Sequence, residues 1–126
     1  MAFTPAKIFD VQWVNNSISQ LRFFPNGGGT IPAGSQYQIN VAWASNTSTA
    51  DVSLTFYRVP NGAPSPVSDV STMMGPPIVI PPASLSTPSV PLVQLWGIQL
   101  TAGDTIWATA SKDLTVLVTA DGGINT

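Results

Sequence analysis

The amino-acid sequence predicts an all-β fold: an antiparallel β-sandwich of about eight strands, with a jelly-roll or other Greek-key arrangement. Short segments of alternating apolar and polar residues recur along the chain, and clusters of Pro, Gly, Ser and Asn separate them. Helix signals are missing, because the chain has no Glu and no long segment with apolar residues three and four apart. We expect residues 1–126 to form a single domain.

The predicted strands follow from the alternation. They are residues 8–14, 19–24, 36–43, 51–59, 78–80, 90–100, 105–111 and 114–120. The first two flank a turn signal at Asn15 and therefore predict a hairpin. Trp43 lies on the apolar face of the third strand, and Trp96 shares a face with Leu92 and Leu100 in the sixth. Both tryptophans are therefore predicted to belong to the core.

Three segments are expected to lie outside the strands. Residues 60–77 contain five prolines and show no alternation, which predicts a long loop of the kind that is usually functional or disordered. Residues 1–6 are predicted to form an arm that is either loose or laid on another chain. The small and polar residues 121–126 are expected to fray.

The composition argues against catalysis. The chain has no His, Cys or Glu, so it can form neither a Ser-His-Asp triad nor a thiolate zinc site. Its six carboxylates are aspartates scattered singly. Asp104 and Asp113 occupy turn positions, where an aspartate accepts backbone hydrogen bonds. We therefore expect no enzyme activity, no cofactor and no metal.

Charge and hydropathy limit the partners. The four cationic side chains are isolated from one another and cannot form the basic stripe that binds nucleic acid. No segment reaches the roughly 18 apolar residues of a membrane helix, and residues 1–9 lack the apolar run of a secretory signal. We expect a soluble, unexported chain. Its low charge means that neutral polar side chains keep it soluble, or that other subunits cover its surface.

Four residues are predicted to contact other proteins. Met73 and Met74 form an apolar pair in a polar segment, and flexible thioethers adapt to irregular surfaces. The alternative is that this pair packs on the domain's own core. Trp107 is out of phase with Ile106, which places it outside the core at a possible subunit contact. Phe3 belongs to the predicted arm.

Four short motifs follow one another between residues 32 and 121. A P-A-G turn leads into a strand, A-S-N-T-S precedes D-V-S-L-T, and a short apolar strand ends in I-P-P-A-S. The chain then closes with L-T-A-G-D-T-I-W-A-T-A-S and L-T-V-L-V-T-A. In this order the motifs resemble a widespread type of small bacteriophage virion protein. The closing motif is the most specific, because such proteins often end in a similar A-G-D-T-I hairpin.

The resemblance implies a β-sandwich on the surface of a virus particle, without catalytic residues. The leading hypothesis is a capsid cement or decoration protein that binds across subunits of the major capsid protein and stabilises the phage head. It would assemble with itself, as a trimer, and several linked contacts would make attachment tight. The alternative is a tail-tip or fibre-associated module that binds host surface carbohydrate through exposed aromatic side chains.

Overall fold

The computed structural model of the chain describes residues 3–23, 30–62, 73–86 and 88–125. These residues form two antiparallel sheets, which confirms the predicted all-β sandwich. The strands are β1 (Phe3–Trp13), β2 (Ser19–Gln20), β3 (Gln36–Asn46), β4 (Val52–Val59), β5 (Ile78–Ile80), β6 (Val90–Pro91), β7 (Gln99–Leu100), β8 (Thr105–Ala110) and β9 (Val116–Asn125). One turn of 3₁₀ helix, Val93–Leu95, separates β6 from β7.

The strands pair in a nested order. β1 pairs with β9, β2 with β8, β3 with β6 and β7, and β4 with β5. Two further ladders, β3 with β9 and β4 with β8, join these pairs into sheets. The five-stranded sheet has the order β1-β9-β3-β6, with β7 also on β3, and the four-stranded sheet has the order β2-β8-β4-β5. The chain therefore crosses between the sheets several times.

The hydrophobic core fills the space between the two sheets. The ring of Phe23 lies 5.6 Å from that of Phe9 and meets Tyr37 edge-on at 5.7 Å. The fully buried side chains around these rings include Ile8, Ile39, Leu54, Phe56, Ile80, Leu92, Leu95, Leu100 and Ile106. Because both sheets contribute, the burial of this apolar surface holds them together.

The first two predicted strands do not form a hairpin. β1 pairs with β9 in the five-stranded sheet, whereas β2 pairs with β8 in the four-stranded sheet. The segments meet through an isolated bridge between Phe9 and Phe23 and through the side chain of Gln12, which binds the Arg22 backbone. The hairpin implied by the closing motif is also wrong, because β8 and β9 lie in different sheets. Turn residues in the sequence indicate where the chain changes direction. They do not indicate to which sheet the next strand belongs.

The predicted strand over residues 90–100 is broken. The 3₁₀ helix forms where the Leu95 amide donates to the Leu92 carbonyl at 2.9 Å. Gly97 follows with φ of 79°, in the left-handed region that glycine adopts without steric cost. This turn buries Leu92 and Leu95 and leaves Trp96 on the surface. β6 and β7 are therefore two short strands at one edge of the sheet.

The first and the last described strands, β1 and β9, both belong to the five-stranded sheet. Phe3 pairs with Asn125 and Pro5 pairs with Gly123, so residues 3–6 of the predicted arm are part of β1, and residues 1–2 lie outside the described residues. Proline is tolerated there because β1 is an edge strand. The tail that was expected to fray is paired as far as Asn125, since β9 has a neighbour on each side.

Most of the predicted long loop, residues 63–72, lies outside the described residues. On its N-terminal side, Asn61 and Gly62 form a turn. On its C-terminal side, Met73 forms an isolated bridge with Tyr57 of β4. The flanks of the segment are thus held against the four-stranded sheet.

Candidate interaction surface

A β-bulge in β3 turns Trp43 away from the core. The pairing of β3 with β9 shifts between Ile39 and Val41, which reverses the alternation of the strand. Ala42 and Ala44 are buried beyond the bulge, and Trp43 is 37% exposed on the outer side of the five-stranded sheet. The prediction that Trp43 belongs to the core is therefore wrong.

Trp96 is the second tryptophan that was wrongly predicted in the core, and it is 38% exposed. Its indole Nε1 donates to the Ala42 carbonyl at 3.2 Å. Its ring meets that of Trp43 with centroids 6.1 Å apart and planes inclined by 62°. The hydrogen bond and the edge-to-face contact fix the two rings as one rigid aromatic pair.

Val11 and Trp13 of β1 extend this surface toward the opposite edge of the sheet. Each side chain is about half exposed. Trp13 pairs with Leu117 of β9, and residues paired across a ladder point to the same side. Leu117 in turn lines one groove with Val11 and Trp43. We call the surface formed by Val11, Trp13, Trp43, Trp96 and Leu117 the apolar face.

A groove of about 420 Å³ lies on the apolar face. It is lined by Val11, Trp43, Ala44, Ser45, Ser89, Leu117, Val118 and Thr119. The Ser45 hydroxyl donates to the Pro88 carbonyl at 2.8 Å, and the Thr119 hydroxyl donates to the Phe9 carbonyl at 3.2 Å. Because these hydroxyl protons are used within the chain, the groove offers mainly apolar contact to a bound group.

The structure places Trp107 and Met73, two of the predicted contact residues, in one row on the outer side of the four-stranded sheet. Trp107 pairs with Tyr57, which bridges to Met73 on its other side. Met74 packs against the core, and its amide donates to the Phe56 carbonyl at 2.9 Å. The structure thus separates the methionine pair. That these residues contact another protein stays a prediction.

Phe3, the fourth predicted contact residue, lies at the end of the five-stranded sheet. Its side chain is about half exposed. Its ring covers Gly123 of β9, where a side chain would collide with it. An aromatic ring over a strand glycine shields the backbone that the glycine leaves bare. Phe3 therefore contacts its own chain, and its predicted contact with a partner stays a prediction.

Among the described residues, Asp104 is the one aspartate that is buried, and 4% of its surface is exposed. It accepts hydrogen bonds from the Thr101 amide at 2.9 Å, the Thr101 hydroxyl at 3.2 Å and the Asn61 amide at 3.1 Å. Arg58 adds an ion pair at 3.4 Å. Burial alone would raise the pKa of Asp104, but these hydrogen bonds together lower the pKa below its ordinary value. The carboxylate is thus held ionised as a structural clamp, as its turn position predicted.

Asp113 also plays the predicted structural role, because it accepts a hydrogen bond from the Asn16 amide at 3.0 Å. Across the four described ranges, no three His, Cys, Asp or Glu side chains lie close enough together to hold a metal ion. In the same ranges we find no helix with the length and apolar character needed to span a membrane. Comparisons of the chain with protein-family models, with curated proteins and with solved structures found no match.

Proposed function

We propose that this chain is a non-catalytic structural protein that attaches to another protein through the apolar face. The observation that carries the proposal is the exposure of Trp13, Trp43 and Trp96 on the outer side of one sheet. Contiguous apolar surface of this kind marks interaction sites, and tryptophan is among the residues that contribute most to binding energy. The groove beside Trp43 would receive an apolar side chain of the partner.

The particular role that we propose is capsid cement or decoration on the surface of a bacteriophage head. The resemblance of the closing motifs to small virion proteins supports this role. The nested strand pairing is the order expected when a long antiparallel hairpin rolls up into a jelly roll, an architecture used by viral capsid proteins and lectins. We therefore propose the jelly roll as the specific form of the sandwich.

The proposed partners are the major capsid protein and further copies of the same chain, in a trimer. A trimer would present three apolar faces together, so each contact could be modest while the linked attachment is tight. Nucleic acid is not a proposed partner, because the four cations are scattered along the sequence.

The second candidate is a tail-tip or fibre-associated module that binds carbohydrate through its aromatic side chains. The exposure of Trp43 and Trp96 favours it. Their inclination of 62° disfavours it at the apolar face, because the two rings form no flat platform for a sugar. The location of the chain on purified particles separates the two candidates: many copies spread over the head support cement, and a few copies at the tail support the second candidate.

The proposed attachment is tested by replacing Trp43 with Ser and measuring rebinding to particles that lack this chain. We expect a loss of about 2 kcal/mol or more, as for a central tryptophan of an interface, which is about a 30-fold weaker affinity. Val79→Ser is the matched control, since Val79 is an exposed apolar residue of the four-stranded sheet. Wild-type affinity of the Trp43→Ser variant, with the fold intact, would disprove the role of the apolar face.

A further inference from the structure

A second groove lies on the outer side of the four-stranded sheet, on the opposite side of the sandwich from the apolar face. Its volume is also about 420 Å³, within the range of sites for small molecules. It is lined by Asn16, Ser53, Thr55, Pro77, Thr109, Ala110 and Ser111. None of these seven described residues is charged, and four of them carry a hydroxyl group.

The hydroxyl groups of this groove are available to a ligand. Thr55 and Thr109 face each other across the ladder between β4 and β8. Within the described residues, the hydroxyls of Ser53, Thr55 and Thr109 make no hydrogen bond to the protein. The Ser111 hydroxyl accepts from the Ser53 amide at 2.9 Å, so its own proton remains free to donate.

Thr55 distinguishes this groove from an ordinary solvent-facing sheet surface. Only 8% of the residue is exposed, yet its side chain lines the groove and its hydroxyl has no partner among the described residues. The Thr55 hydroxyl is not one of the fully buried side-chain atoms that lack a partner, so it reaches solvent through the groove. A ligand in the groove would replace this solvent and exchange hydrogen bonds with the hydroxyl.

Two aromatic residues lie beyond one end of the groove and do not line it: Tyr57, which is buried, and Trp107, which is partly exposed. Tyr57 and Trp107 form a cross-strand pair on the same side of the sheet as the pair of Thr55 and Thr109. The two pairs are two residues apart along β4 and β8, which is a distance of about 7 Å. The Trp107 indole Nε1 donates to the Thr105 hydroxyl at 2.9 Å, which fixes the ring. The groove itself is therefore lined by hydroxyl groups, and Trp107 is the partly exposed ring of the pair beside it.

We propose that the groove of Ser53, Thr55, Thr109 and Ser111 binds a neutral saccharide. A sugar matches the lining because its hydroxyls exchange hydrogen bonds with serine, threonine and asparagine side chains. An anionic ligand would find no cation among the described residues that line the groove. An apolar ligand would leave the lining hydroxyls buried without partners, which is unfavourable. Attachment through the apolar face leaves this groove open to solvent.

The proposal is tested by titrating the ¹⁵N-labelled chain with maltotriose, chitotriose, mannotriose and galactotriose, and with an acidic heparin disaccharide as a comparison. We expect saturable shifts of the amides of residues 53–55 and 109–111 with at least one neutral trisaccharide and none with the heparin disaccharide. Thr55→Val and Thr109→Val keep nearly the same side-chain shape but lack the hydroxyl. Each should weaken that binding at least fivefold.

Thr49→Val, at an exposed position outside the groove, is the matched control and should bind as the wild type does. The melting temperature of each variant shows whether it is folded, and Ser111→Ala replaces Thr55→Val if the latter unfolds. No shift with any of the four neutral trisaccharides, or undiminished binding by the folded groove variants, would overturn the proposal. Because this experiment uses the free chain, its outcome is independent of attachment through the apolar face.

Discussion

At the scale of single residues, Asp104 shows how this chain uses one of its few charges. The carboxylate joins Thr101, on the turn that leads into β8, to Asn61, on the turn that follows β4. Arg58 neutralises it from β4. A buried carboxylate is tolerated only when it is paired and hydrogen-bonded, and here both conditions are met. The clamp therefore fixes the start of the segment over residues 60–77.

We predict that Asp104→Asn lowers the free energy of unfolding by about 1–2 kcal/mol at pH 7, because the hydrogen bonds lose their charge assistance. The folded-state pKa of Asp104 is lowered from 3.8, its ordinary value. The carboxylate therefore stabilises the fold fully above pH 3.8, and this contribution is lost as the pH falls through the lowered folded-state pKa. Urea unfolding of both proteins between pH 7 and pH 2 measures the difference.

Asp51→Asn is the control for this prediction, since Asp51 is exposed before β4. It should unfold as the wild type does at every pH. A stability difference between wild type and Asp104→Asn that stays constant down to pH 2 would show that the carboxylate charge does not contribute.

Single-residue roles were predictable where they depend on local sequence. The turn positions of Asp104 and Asp113 identified them as hydrogen-bond acceptors, and the structure confirms both roles. Trp43 and Trp96 were placed wrongly because their direction depends on a bulge and on a 3₁₀ helix. Residues 41–44 read Val-Ala-Trp-Ala, an apolar run without alternation that is compatible with either orientation.

At the scale of elements, the bulge in β3 depends on a glycine in the neighbouring strand. A Cβ atom at Gly122 would collide with the Gln38 carbonyl oxygen and lie 3.1 Å from the Asn40 amide nitrogen. Both atoms belong to the backbone of β3 at the bulge, so they cannot move without breaking the ladder. Gly122 thus permits the close approach that turns Trp43 outward.

Gly122→Ala and Gly123→Ala should therefore differ in effect. We expect Gly122→Ala to lower the free energy of unfolding by about 2–3 kcal/mol, the upper part of the range for overpacking. At Gly123 the added Cβ meets the Phe3 ring, a partly exposed side chain that can rotate away, so we expect a loss below about 1 kcal/mol. Chemical denaturation measures both values. Equal losses would show that backbone contact at the bulge is not the cause.

The positions of the strands were largely predictable, but their partners and phases were not. Seven of the eight predicted strands each correspond to one strand of the structure. The eighth, residues 90–100, corresponds to two strands, β6 and β7. Alternation with a period of two residues cannot reveal the bulge in β3. The extra residue of β3 at the bulge depends on the pairing with β9, which is distant in sequence. It also cannot assign a strand to a sheet, which is why the hairpin of the first two strands was wrong.

At the scale of the whole molecule, the nested pairing makes β9 the central support of the five-stranded sheet. β9 lies between β1 and β3 and pairs with both over most of its length. Without β9, the two long strands would lose their shared partner, and much of one wall of the core would be missing. Stability is therefore concentrated in a strand near the end of the sequence.

We predict that removing residues 116–126 abolishes cooperative thermal unfolding, because both long neighbours of β9 lose their ladders. Removing Thr126 alone, beyond the end of β9, is the control and should leave the transition unchanged. Circular dichroism at increasing temperature makes the measurement. A cooperative transition in the chain without residues 116–126 would show that β1 and β3 can form the sheet without β9.

The two outer surfaces of the sandwich were the least predictable features. The apolar face requires that β1, β3 and β9 lie side by side, and the hydroxyl-lined groove requires that β4 lies beside β8. Each surface combines residues that are distant in sequence, and none of the four predicted contact residues lies on the apolar face. Local alternation predicted the all-β fold, and long-range pairing determines where its surfaces lie.

The pairing of β1 with β9 also affects how the chain is made on the ribosome. β1 is translated before β2 to β8, and its partner β9 is translated after them. At roughly 5–20 residues per second, Ile8 and Phe9 wait about 5–20 s before β9 is available. During this interval β1 is exposed to premature association, and the yield of folded protein should depend on how quickly the residues between β1 and β9 are translated and on the chaperones that hold the emerging strands.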